Sequence, residues 1–72
     1  MQMNSDQQRW RDALASIRRL RQQALTELRA ALGERNQYRA GQWRGELQEL
    51  DACEADAKQA LRAIAERHQQ AA

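Results

Sequence analysis

The residues best equipped for chemistry in this 72-residue chain are one cysteine, one histidine and eleven arginines. Cys53 has no pattern of charged neighbours that would hold a thiolate. Its place in an apolar repeat reads as a small buried side chain. His68, near the end of a helical stretch, suits the negative pole of a helix dipole. One cysteine and one histidine form no zinc-ligand set. The sequence also lacks a Gly-rich phosphate loop and a nucleophile beside a base. The expectation is a protein without catalysis, cofactor or metal.

The arginines and aromatics point to recognition. The stretch Gly33-Glu34-Arg35-Asn36-Gln37-Tyr38-Arg39-Ala40-Gly41-Gln42-Trp43-Arg44 holds the only tyrosine and one of two tryptophans. Aromatics and arginine dominate binding hot spots because they bury much area at small entropic loss. Tyr38, Trp43, Arg35, Arg39 and Arg44 are therefore the candidate partner contacts. Trp43 has a second reading, as the first core residue of a helix. Arg11, Arg18 and Arg29 form a basic ridge of the kind that can track phosphates. The net charge is only +2, however, and acids are concentrated in the second half. The ridge is thus expected to be solvated or paired within the chain, and nucleic acid is not an expected partner.

These side chains need elements to carry them, and the periodicity supplies two. Over residues 5–33, Trp10, Ala13, Leu14, Ile17, Leu20, Ala24, Leu25, Leu28, Ala31 and Leu32 fall within roughly 140° of a helical projection. Ser5 and Gln8 have the form of a capping box, and Gly33 is a natural left-handed stop. Trp43, Leu47, Leu50, Cys53, Ala57, Leu61, Ile64 and His68 recur at intervals of three and four. The spacing predicts one domain over 1–72: a helix at about 5–33, a turn at about 34–41 and a helix at about 42–69. Asn36 could cap an earlier start of the second helix, which would put Tyr38 on its outer face. Gly41 and Gly45 argue against that start.

A short connection makes the helices antiparallel. Residues 1–45 carry nine arginines against four acids, and residues 46–72 three basic residues against six acids. Opposite charge thus favours folding the halves together. The fold class expected is all-α, a hairpin whose core is Trp10, Leu14, Ile17, Leu20, Leu25, Leu28, Leu47, Leu50, Leu61 and Ile64. Arg21 and Glu54 sit inside the apolar arcs. A turn centred at residue 37 or 38 would set them opposite each other as a register-fixing ion pair. An arc of ~140° exceeds the seam that one neighbouring helix covers. The surplus predicts a homodimer, two hairpins forming a four-helix bundle. So small a chain also gains stability from a second subunit.

No apolar stretch approaches the ~20 residues of a membrane span. The opening Met1-Gln2-Met3-Asn4-Ser5-Asp6 lacks the pattern of a leader. With a single cysteine, this points to the cytoplasm.

With its Ala/Arg/Gln/Leu-rich composition and its tip of Tyr38, Trp43 and arginines, the chain resembles the phage-encoded anti-activators of Pseudomonas quorum sensing. That resemblance implies a dimeric hairpin in the host cytoplasm. It would bind a LuxR-type transcription regulator, and in some cases the type IV pilus assembly ATPase, and block the regulator's DNA binding. Tyr38 and Trp43 would be the contacts. Ala24-Leu25-Thr26-Glu27-Leu28-Arg29, with the polar turn and Gln37-Tyr38 after it, is similar to the co-chaperones of type III secretion needle subunits. Leu50-Asp51-Ala52-Cys53-Glu54-Ala55-Asp56 resembles plasmid RNA-binding four-helix-bundle regulators.

Overall fold

In the computed structural model, which describes residues 5–71, the chain is an antiparallel pair of helices, α1 (Ser5–Gly33) and α2 (Gln37–Ala71). The segment 1–4, on which most of the leader argument rests, lies outside the described residues. The molecule is a rod of 55 × 19 × 11 Å, one helix thick in its smallest dimension. Every buried side chain therefore lies in the seam between two helices.

The turn is shorter than the spacing predicts, Glu34 to Asn36, and α2 begins at Gln37 instead of about 42. Two caps produce this. Asn36 N–H donates to the Ala31 carbonyl at 2.9 Å and Arg35 N–H to that of Leu32 at 3.1 Å. This is a Schellman closure of α1, and it requires a left-handed residue between helix and exit. That residue is Arg35, with φ 59°, and not Gly33, which stays helical. Asn36 then starts α2, its Oδ1 accepting from Arg39 N–H at 3.1 Å and its carbonyl from Ala40 N–H at 3.0 Å. An asparagine cap offsets much of the penalty, ~1 kcal/mol each, of glycines at 41 and 45. The expected capping box at the other end of α1 is replaced: Gln8 Nε2 donates forward to Asp12 Oδ1 at 2.9 Å.

The short turn moves the register. Arg21 Nε bonds Asp51 Oδ1 at 2.9 Å and Arg18 Nε bonds Glu54 Oε2 at 3.5 Å. Both pairs are symmetric about residue 36, so the expected Arg21–Glu54 pair does not form. Glu54 instead meets Arg18 and Lys58, the latter at 3.4 Å, with its side chain 18% exposed. Arg21 and Asp51 are 43% and 58% exposed. A pair so solvated contributes only ~0–1 kcal/mol.

The seam alternates steps of four and three. On α1 it runs Trp10, Leu14, Ile17, Arg21, Ala24, Leu28, Ala31; on α2 it runs Ala40, Trp43, Leu47, Leu50, Glu54, Ala57, Leu61, Ile64. This is the 3.5-residue repeat of a two-helix coiled coil. Its deepest members are mostly alanines, with Ala24, Ala31, Ala40 and Ala57 at 0–1% exposure beside Leu50 and Ile64. Ala31 and Ala40 adjoin the turn, and each is wholly buried. Leu14, Ile17, Leu25, Leu28, Leu47 and Leu61 are half-buried. Two expected core residues are not core in the hairpin. Leu20, 51% exposed, lies on a flank that one neighbouring helix does not reach, and Trp10, 39% exposed, lies toward the open end. Cys53 is exposed as well, because the strict repeat steps from Leu50 to Glu54 and leaves Cys53 on the flank.

Among the described residues no helix is long and apolar enough to cross a membrane.

Candidate functional site: the hairpin tip

The caps that close the hairpin also decide what its tip presents. Tyr38 stands in the first turn of α2 on the outer face and is 76% exposed, the most exposed large hydrophobic described. Gly41 and Gly45 follow it at three and seven residues, hence along the same face. A Cβ built on either glycine meets nothing within 4 Å, and neither has a positive φ. Arg35, exposed and left-handed, sits just before the cap.

The five predicted contacts do not form one patch. Arg39 is committed within the chain, Nη2 to Glu27 at 3.3 Å and Nη1 to Glu34 at 2.9 Å. It ties the start of α2 to α1 and to the turn, so it positions the tip more than it presents a contact. Trp43 is half-buried in the seam and lines a shallow groove with Arg39, Gln42 and Glu46. Trp43 lies five residues beyond Tyr38, or ~140° around the helix, and so faces another way. Arg44 is exposed on the flank opposite the groove. Tyr38 and Arg35 remain as the outward groups of the tip.

The site thus contains three kinds of departure from local stability, at four residues within a span of eleven. A non-glycine residue in the left-handed region is unfavourable by ~1–2 kcal/mol. A glycine inside a helix is unfavourable by ~0.5–1 kcal/mol relative to alanine. A large aromatic left in water forgoes the burial that stabilises it. The caps offset part of the backbone terms, but the Arg35 side chain, the Tyr38 ring and the bare faces of the glycines all stay turned to solvent. Sequence reasoning singled out Tyr38 and Arg35 but read the glycines only as arguments about a helix start. Their spacing from Tyr38, three and seven, was the signal.

Among the described residues, no group of three or more His, Cys, Asp or Glu side chains is placed to hold a metal ion. The surface depressions are shallow and lie on the outside of the rod.

The fold and the tip define a class, a two-helix coiled-coil hairpin with an exposed aromatic end. No family model, curated protein or solved structure matches the chain.

Proposed function

We propose that this protein is a non-enzymatic inhibitor or adaptor that grips a protein target with its tip, Tyr38 first among the contacts. The observation that carries this reading is the clustering of a left-handed Arg35, an exposed Tyr38 and two open helical glycines, Gly41 and Gly45, at one end of the rod. Local rules broken without full internal compensation mark functional positions. A smooth glycine face beside a tyrosine lets a partner's backbone come close while the ring supplies buried area. The target first tested is a LuxR-type transcription regulator, held so that it cannot bind DNA, as the anti-activator resemblance suggests. The pilus assembly ATPase is the second.

The working form proposed is a cytoplasmic homodimer. Leu20, 51% exposed, and Cys53, also exposed, share one flank near mid-rod. Glu46 and Glu49 lie toward the tip on that flank, beside the Glu27–Arg39 pair, and Arg67 lies toward the open end, beside the Arg9–Asp6 pair. A two-fold axis near Leu20 would set the acidic end of one copy against the basic end of the other. Oxidative cross-linking through Cys53, in a protein sedimenting as a dimer, tests that arrangement; a monomer at 100 µM overturns it.

The decisive test uses Tyr38→Ala, because a side chain so exposed can be removed without touching the seam. Wild type and variant are compared for inhibition of operator binding by the purified regulator, and for direct affinity to regulator and ATPase. A hot-spot tyrosine predicts at least a tenfold loss, about 1.4 kcal/mol or more. Equal affinities, or no binding of either target by wild type, reject the reading.

A further inference from the structure

The two long flanks of the rod carry opposite charge. The cross-helix ion pairs fix which residues share a flank. Arg18, Arg21, Asp51, Glu54 and Lys58 meet on one side, Glu27 and Arg39 on the other. Seven residues from Arg18 and Asp51, Arg11 and Arg44 join the first side, and Arg29 and Arg62, eleven residues or about three turns from the same two, lie along its outer edge. That side then has seven cations against two carboxylates, Asp51 and Glu54. Most of α2's other acids, Glu46, Glu49 and Asp56, fall toward the second side. The acids that would neutralise the basic ridge are therefore on α2 but face the wrong way. Of the ridge itself only Arg18 is answered. Arg11, Arg29, Arg44 and Arg62 make no ion pair with the described residues.

We infer that this flank is a docking surface for the phosphodiester backbone of a nucleic-acid duplex. Six of its seven cations are arginines, whose planar guanidinium bonds phosphate oxygens in pairs. They are mounted on a rigid rod. Arg29 and Arg44 lie at one end and Arg11 and Arg62 at the other, with Arg18 and Lys58 between. From Arg11 to Arg29 is eighteen residues, about 27 Å of helix, or about eight base pairs of duplex at 3.4 Å each. The flank carries no aromatic side chain on which unstacked bases could lie, so a single strand is not its occupant. No element reaches base edges in a groove, so contact is to backbone and independent of sequence. The surface is separate from Tyr38 and stands or falls apart from the tip reading. In the two-fold dimer through Leu20 and Cys53, both basic flanks face outward.

The experiment is fluorescence anisotropy of labelled 20-base-pair duplexes of mixed sequence, one DNA and one RNA, titrated with the full chain across a salt series. Each phosphate neutralised contributes about −0.9 to the slope of log K against log salt. The four unpaired arginines predict a slope of about −3.6 on DNA, or about a 150-fold loss of affinity from 50 to 200 mM. Arg11→Gln with Arg62→Gln, and separately Arg29→Gln with Arg44→Gln, should each reduce the slope by about half while the helical circular dichroism is unchanged. Arg19→Gln, on the back of α1 away from both flanks, should leave it as it is. The two duplex arms show whether B-form DNA or A-form RNA fits the row better. The inference is overturned by no binding at 50 mM salt with ~100 µM protein, or by an equal loss in the Arg19 control. Polyglutamate or anionic vesicles bound as tightly as either duplex also overturn it, because the surface would then read charge alone.

Discussion

Replacing Gly41 and Gly45 by alanine should make the protein more stable and less functional at once. Both glycines lie inside α2 with ordinary negative φ, and an added methyl group meets nothing within 4 Å at either. No strain and no clash opposes the change. What remains is the backbone freedom that glycine loses on folding, ~0.5–1 kcal/mol per site relative to alanine. The sites are four residues apart and share no packing partner, so the gains add to ~1–2 kcal/mol. For a domain of this size each kcal/mol shifts Tm by ~4–8 °C. The double variant should therefore melt roughly 4–16 °C higher in a circular dichroism scan at matched protein concentration. Its affinity for the tip's target should fall, because two methyl groups now stand where a partner's backbone would approach. An unchanged or lower Tm refutes the reasoning, since the glycines would then be answering a contact within the protein or its dimer. A higher Tm with undiminished target binding leaves the stability argument standing and removes the glycine face from the site.

Three further outcomes follow from the same geometry. Arg35→Gly should stabilise by about 1 kcal/mol, because glycine takes the left-handed position of the Schellman closure without steric penalty; urea unfolding checks it, and destabilisation would mean that the Arg35 side chain makes a contact that holds the turn. Arg21→Ala and Asp51→Ala should each lower stability by no more than ~1 kcal/mol and show coupling in a double-mutant cycle, whereas Arg21 and Glu54 should show little. Ala31→Leu should destabilise by ~1–3 kcal/mol or more, since the helices close to the turn leave Ala31 and Ala40 wholly buried; a neutral result would show that the tip can splay.

The sequence by itself determined the fold class and the ends of α1. Apolar residues at helical spacing over residues 5–33 admit one element, and a short polar connection admits one relative direction for the second. Leu50 and Ile64 were equally legible as core, because every reasonable seam passes through them. Tyr38 was legible as outward once Asn36 was allowed to cap. Local pattern could not supply the length of the turn, and register follows from it. Two caps, one using an arginine where glycine is usual, shortened the connection to three residues and moved the symmetry point to residue 36. That shift exchanged Glu54 for Asp51 as the partner of Arg21, exposed Cys53, and set Arg39 to locking the tip. The charge on each flank was also beyond reach of composition. The halves are opposite in sign, +5 over residues 1–45 and −3 over residues 46–72, but a helix displays its acids by angle, and only the paired register shows that most of α2's acids point away from the arginine ridge. Composition and periodicity are properties of each helix alone, whereas register and flank are properties of the pair, so only the tertiary structure decided them.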